Sequence, residues 1–281
     1  MFTAEKYEAL FMQAAGPDGI LHEGVQGYRV KRIVAGETLE IEGFPIWSTA
    51  GIAREARAQS EKHREAVRRI NLRNQQTKLR RLMNANFGRG DVLLTLTYRP
   101  GNQPQDERQA QRDVRNYLRR LRRRREHQGL AELKYIYTTE VTHGALGTRY
   151  HHHLIVNGGI SREELEGLWS RGIANSRAAQ PDAFALSGWA HYMSKRKETQ
   201  EKAYTRGFAH SMNLREPRVT YADHKISRRM MTQISQDMRQ RGTEIMERLY
   251  PGYQVAEAPQ VRLSEWVPGG YLLARLIRRS E

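Results

Sequence analysis

Apolar positions recur along this chain with two periods, two in some stretches and about three and a half in others, and each period marks a different kind of element. Tyr28-Arg-Val-Lys-Arg-Ile-Val34 alternates, Ala35-Gly-Glu-Thr38 breaks the run, and Leu39-Glu-Ile-Glu42 alternates again, which predicts a β-hairpin. From about Gly51 to Asn84 the pattern turns helical and basic, from Arg64 through Lys78 to Arg81. Asp91 to Arg99 is an apolar strand ending in hydroxyls and a base. Asp106 to Glu126 follows as an amphipathic helix, because Val114, Tyr117, Leu118 and Leu121 fall at i, i+3, i+4 and i+7. Lys134 to Glu140 reads as a strand, Thr142 to Thr148 as the loop of a hairpin, and Tyr150 to Val156 as the returning strand. Ser161-Arg-Glu-Glu164 is a capping-box start for a helix that turns Leu165, Leu168 and Trp169 to the core. A further strand and a short helix carrying Phe184, Leu186, Ala190 and Met193 complete the series. That order predicts an α+β fold, a central antiparallel sheet with helices packed on one face. Three parts result: an N-terminal extension (1–86), a catalytic core (87–200) and a basic C-terminal extension (201–281), whose Tyr-Pro-Gly at 250–252 reads as a turn.

Charge narrows the class of partner. The net charge is +16, so a polyanion is expected. No window has the apolar length of a membrane span and the N-terminus lacks a signal-peptide pattern, so nucleic acid is preferred over a membrane. The absence of cysteine removes disulfides and thiolate metal sites and fits a reducing cytoplasm. No GxxxxGK[ST] phosphate loop is present, so any strand unwinding must come from another protein. The helix from Asp106 carries nine arginines against four acids. Its densest run makes Arg119, Arg120, Arg122, Arg123 and Arg124 candidate phosphate contacts, although a charge run of this kind is often just a solvated face.

Three short motifs bear chemistry. In Tyr150-His-His-His-Leu-Ile-Val156, strand alternation sends His151 and His153 to one face and His152 to the other. Two imidazoles on one strand face can share a metal ion, and the hairpin folds Glu140 across from them as a third, carboxylate ligand. A histidine beside apolar residues is more often a satisfied core residue, so this motif does not stand alone. Tyr192 and Lys195 lie one turn apart on the short helix, a tyrosine nucleophile with an ammonium that favours its phenolate. By itself a YxxK pattern is common.

Taken in chain order, Leu93 to Tyr98, then His151 and His153, then Tyr192 and Lys195, the motifs resemble those of rolling-circle replication initiators of the HUH endonuclease superfamily, in particular the replication-associated proteins of plasmids and filamentous-type phages. The resemblance covers roughly Asp91 to Lys197. His152 departs from it, since that position usually holds a bulky hydrophobe. It implies an RRM-like α+β core in which Glu140, His151 and His153 hold Mg2+ or Mn2+ on an open sheet face. It also implies that Tyr192, assisted by Lys195, nicks and rejoins single-stranded DNA at an origin, such as a hairpin loop, through a covalent 5′-phosphotyrosine link. Thr97, Tyr98 and Arg196 join the arginines as expected DNA contacts. A host helicase and polymerase are the expected partners, in a bacterial cytoplasm and encoded by a plasmid or phage. With one motif tyrosine, termination calls for a second protomer, as in a homodimer, or another nucleophile. The competing readings are a single-tyrosine HUH transposase and a non-catalytic DNA-binding regulator of the same fold.

Overall fold

The first alternating run folds as the hairpin that its pattern predicts. In the computed structural model, which describes residues 24–47, 61–144, 147–194, 207–263 and 268–279, β1 (Val25–Ala35) pairs antiparallel with β2 (Thr38–Trp47). Gly36 supplies the positive φ, 59°, of the tight turn between Ala35 and Thr38. The chain continues through α1 (Glu61–Asn86), β3 (Val92–Tyr98), α2 (Glu107–His127), β4 (Tyr135–Gly144), β5 (Gly147–Val156), α3 (Arg162–Gly167), β6 (Gly172–Ala178) and α4 (Ser187–Ser194). It ends with β7 (Ala209–His210), β8 (Arg218–Ile226), α5 (Arg228–Gln236), α6 (Gln240–Leu249), β9 (Tyr253–Leu263) and β10 (Gly270–Arg278). The described residues fall into two units, one within Lys78–Arg215 and one drawn from Met1–Thr77 and Glu216–Glu281.

In the unit Lys78–Arg215 the strands lie in the order β6-β3-β5-β4-β7, all antiparallel. Helix α2 starts at the predicted place because Asp106 accepts a hydrogen bond from the Gln109 amide at 2.7 Å. Its stripe of Val114, Tyr117, Leu118 and Leu121 packs with Leu94, Leu96 and Leu154 on one sheet face. Each such side chain, fully removed from water, contributes about 1.5–3 kcal/mol. Trp169 and Leu165 close the same core, and Ser161 caps α3 by accepting from the Glu164 amide at 3.2 Å.

The α+β class with an antiparallel sheet is as expected. The second sheet face also carries helices. Leu93, Ile136 and Ile155 cluster with Leu79, Leu82 and Met83 of α1 and with Ala190 and Met193 of α4, because the apolar sides of both helices need cover. The hairpin is tighter than the sequence implies: Thr142 pairs with Arg149 and Gly144 with Gly147, so most residues read as loop are strand.

In the other unit β1 lies between β8 and β2, giving the order β8-β1-β2-β10-β9. Met231 and Ile234 of α5 and Ile245 and Met246 of α6 form a core with Tyr28, Val30, Ile41 and Leu272. The two ends of the chain, read from sequence as separate extensions, thus share one sheet. No helix among the described residues is long and apolar enough to cross a membrane.

Candidate functional site

Strand register decides which side chains meet. Thr97 pairs with His151 and His151 with Glu140; Thr95 pairs with His153 and His153 with Thr138. Directly opposed residues of antiparallel strands share a face. Thr95, Thr97, Glu140, His151 and His153 therefore lie on the face that α4 partly covers. His153 Nε2 is 3.1 Å from Glu140 Oε2, and its Nδ1 is 3.3 Å from Thr95 Oγ1. Burial pushes the His153 imidazole below its ordinary value, against the opposing hydrogen bond and charge of Glu140. A neutral imidazole keeps a lone pair for a metal.

Two donors at this spacing suit one ion, since ligands held at about 2.1 Å in neighbouring positions are ~3.0 Å apart. The structure brings His153 and Glu140 together and puts His151 on the same face, opposite Glu140. Among the described residues no group of three His, Cys, Asp or Glu is gathered as a ready metal cluster, so the third donor is aligned by register without being drawn in.

Helix α4 brings the tyrosine to this face. Its start is held from two sides. Asp182 accepts from the amides of Phe184 and Gly188, and Asn84 of α1 accepts from the Leu186 amide at 3.0 Å while donating to the Phe184 carbonyl at 3.4 Å. The intervening Ala185 takes a positive φ of 57°. From that anchor the Tyr192 ring reaches 4.9 Å, centroid to centroid, from His153, edge to face. Its other neighbour is Trp189, stacked at 4.9 Å, with the Arg177 guanidinium 4.7 Å from the Trp189 ring. Tyr192 is 48% exposed, so its ring is positioned and its edge stays open to solvent. Lys195 and Arg196 lie outside the described residues.

His152 points to the opposite face and is fully buried. Thr139 Oγ1 lies 3.0 Å from its Nδ1 and Tyr98 Oη 2.9 Å from its Nε2. The chain of donors has one direction. Tyr137 donates to Gln111, and Gln111 donates to Thr139 at 2.9 Å. With Thr139 accepting from Gln111, its own hydroxyl proton goes to His152 Nδ1, and His152 Nε2–H donates to Tyr98. A polar residue thus occupies a position where a hydrophobe would serve, because both its ring nitrogens are satisfied.

Burial, reinforced by the flanking histidines, pushes the His152 imidazole from 6.5 down to about 3. The unfolded chain binds that proton first, so stability is complete above pH 6.5 and is lost progressively as pH falls toward 3. At about 1.4 kcal/mol per pKa unit the loss amounts to several kcal/mol. His152→Leu should remove this acid dependence from urea-unfolding curves. At neutral pH it should cost about 1–3 kcal/mol through the stranded hydroxyls. Adding Tyr98→Phe should recover part of that cost; strict additivity of the two changes would break the proposed network.

Several predicted DNA contacts are relocated by the structure. Tyr98 is 7% exposed, edge-on to Trp169 and bonded to His152, so it is a core residue and offers nothing to DNA. Thr97 lies on the histidine face but donates to the Ile173 carbonyl at 3.0 Å. Arg119, Arg122, Arg123 and Arg124 are exposed, whereas Arg120 donates to the Leu168 carbonyl at 3.1 Å. Arg125, the end of the same run, is buried and donates to the carbonyls of Ala131, Asn157 and Gly158. Because α2 packs on the face opposite His153, the exposed arginines lie on the far side of the sheet from Tyr192. Residues that the sequence did not single out hold the site together: Asn84 and Asp182 anchor α4, Trp189 backs the tyrosine, and Thr95 orients His153. An Asn close to the end of α1 carries no sequence signal for such a role. Trp189, one helical turn before Tyr192, does.

Residues 91–197 match the model of a family of replication-associated proteins, the ORF2 type. The match begins at Asp91, just before β3, and runs past α4, so it contains Thr95, Thr97, Glu140, His151, His153 and Tyr192, whereas Asn84 lies outside it. The likeness to replication-associated proteins is that of this segment, 107 of the 281 residues. No curated protein and no solved structure matches the chain.

Proposed function

We propose that the chain is a replication-associated protein, that this segment is a tyrosine-dependent nicking and joining site for single-stranded DNA and that it starts rolling-circle replication. One observation carries the reading. An exposed tyrosine on α4 lies 4.9 Å from a histidine that is itself 3.1 Å from a carboxylate, all on one face of an antiparallel sheet.

Glu140, His151 and His153 are the residues that would hold Mg2+ or Mn2+, mixed nitrogen and oxygen donors suited to either. When bound, the ion polarises a phosphate oxygen and stabilises charge on it. Tyr192 supplies the nucleophile. Its oxygen bonds to phosphorus, the bond from phosphorus to the 3′ oxygen breaks, and the phenol proton is balanced by the proton taken up at the new 3′ hydroxyl. Trp189 and His153 hold the ring so that its edge is presented to the strand, which lowers the entropic cost of attack. Lys195 would stabilise the phenolate or help position the phosphate. Thr95 keeps the His153 ring in plane: its hydroxyl can donate to Nδ1 or accept from it, so it serves the ring with or without a proton on Nε2. The covalent link conserves the phosphoester, so rejoining needs no ATP. Unwinding and synthesis fall to a host helicase and polymerase, in a bacterial cytoplasm on plasmid or phage DNA.

The direct test is incubation with pooled, labelled single-stranded oligonucleotides and Mn2+, followed by denaturing gels. A covalent adduct on a subset of sequences is the expected result. Absence of any adduct from a pool that covers all short sequences would overturn the reading.

The exposed arginines of α2 serve the flanks of the DNA, away from the cleavage face. Neutralising Arg122, Arg123 and Arg124 should flatten the slope of log affinity against log salt by about 0.7 per lost single-strand phosphate contact. Nicking of a short, saturating oligonucleotide should be unchanged. An unaltered slope would make the cluster a solvated helix face.

A further inference from the structure

On the sheet face opposite His153, a cavity of about 650 Å3 lies between the first turns of α2 and the β4–β7 edge. That volume is typical of small-ligand sites. One wall is Arg108, Arg112 and Arg115, spaced i, i+4 and i+7 on one side of the helix. All three are exposed. Among the described residues none of them is paired with a carboxylate, and Arg115 Nε donates to the Gln111 carbonyl at 2.9 Å, which fixes its guanidinium along the helix. Glu107 is the single acidic residue of the lining, leaving the cavity cationic.

The other wall is aromatic. Tyr135 and Tyr137 are stacked at 6.1 Å with their planes 30° apart. Tyr137 is buried and tied through its hydroxyl to Gln111 at 2.8 Å, so it is a fixed floor. Tyr135 is half-buried, and its backbone is held by Ser211, whose Oγ accepts from the Tyr135 amide at 3.1 Å.

A rigid aromatic face next to a row of guanidinium groups matches a ligand with both a flat π-system and phosphate charge. An acidic peptide would use the arginines and leave the rings idle. A neutral aromatic would do the reverse. A nucleotide uses both, with its base stacked on tyrosine and its phosphates on arginine.

We propose that this cavity binds a nucleotide of single-stranded DNA, with the base on Tyr135 and the phosphates on Arg108, Arg112 and Arg115, as a second strand contact separate from the cleavage face. The reading of the chain as a DNA-handling protein supplies the source of the nucleotide; the cavity's chemistry alone supplies its class.

The test uses the full chain carrying Tyr192→Phe, so that no covalent trapping intervenes, and a fluorescein-labelled oligothymidylate. Compared with that protein, Arg108→Gln/Arg112→Gln/Arg115→Gln should weaken binding at least ten-fold near ~0.1 M salt and reduce the salt slope by about 2, at ~0.7 per contact. An oligonucleotide containing 5-iodouracil should photo-crosslink to Tyr135, and the arginine triple variant should lose that crosslink. Unchanged slope together with crosslinks confined to the Tyr192 face would overturn the proposal. So would saturable binding of free thymidine monophosphate in the cavity with no crosslink from the oligonucleotide, which would assign it to a free nucleotide. The triple variant with Tyr192 intact is assayed in parallel for Mn2+-dependent adduct. If no protein forms an adduct while the Tyr135 crosslink persists, the nicking function fails and the strand contact stands.

Discussion

Tyr192→Phe is expected to eliminate the covalent protein–DNA adduct while leaving single-strand binding within a few-fold of wild type. The substitution deletes one oxygen and nothing else. The ring keeps its stack on Trp189 and its edge contact with His153, both of which are made by carbon and ring atoms. With Tyr192 already 48% exposed, its hydroxyl is not a core group whose loss would unfold the helix. The effect on chemistry should be complete because, among the described residues, no other group on the histidine face offers an oxygen nucleophile on a comparably exposed ring. The tyrosines on β3, β4 and β5, namely Tyr98, Tyr135, Tyr137 and Tyr150, all share the parity of His152 and lie on the opposite sheet face. Mass spectrometry of the adduct peptide is the decisive measurement. An undiminished yield mapped to a different one of the chain's 13 tyrosines would sink the assignment.

The second large effect concerns the donors. Glu140→Ala, His151→Ala and His153→Ala should each cost divalent-dependent cleavage at least about 100-fold, since even groups that only orient a ligand are commonly worth 10–100-fold. Thr95→Val, which removes such an orienting group from His153, should fall inside that smaller range. Metal binding gives the independent readout: Mn2+ titrated against the protein and followed by its electron paramagnetic resonance should bind less tightly in all three alanine variants. His151 is the informative member, because the structure gathers Glu140 and His153 but leaves it only in register with them. If His151→Ala kept wild-type Mn2+ affinity and cleavage, the site would be a two-donor one.

How much of this was legible in the sequence depends on whether the deciding force was local. The alternation in Val92–Tyr98 and the apolar stripe of α2 were readable because burial of one face imposes a period. The pairing of Glu140 with the histidines followed from hairpin folding, although the strands ran further than the loop residues implied. Tyr98 was misassigned to DNA despite a signal in its own strand. It has the parity of Leu94 and Leu96, which pack under α2, whereas Thr95 and Thr97 have the parity of Leu93 and lie on the histidine face. Arg125 shows the same lesson on a helix: it follows Leu118 and Leu121 by seven and four residues, so it continues their buried stripe. The satisfied state of His152 was not legible, because Thr139 comes from the neighbouring strand and Tyr98 from a strand about fifty residues earlier. Nor was the sheet made from both ends of the chain, since β1 and β8 pair across a separation that no local pattern encodes.

That last pairing sets an order of events. Arg29 meets Asp223 across 194 positions of sequence, so the N-terminal hairpin emerges from the ribosome long before either of its outer neighbours exists. Synthesis proceeds at about 5–20 residues per second, which leaves β1 and β2 with open edges for roughly ten seconds or more. Through that interval the whole of Lys78–Arg215, with its contiguous set of strands, has been made and can close its own sheet. The histidine face would therefore be in place on a nascent chain whose first hairpin still waits for β8 and β10. A chain cut short between β8 and β10 would leave the β2 edge of that hairpin bare for good, with the cost falling on solubility before it fell on chemistry.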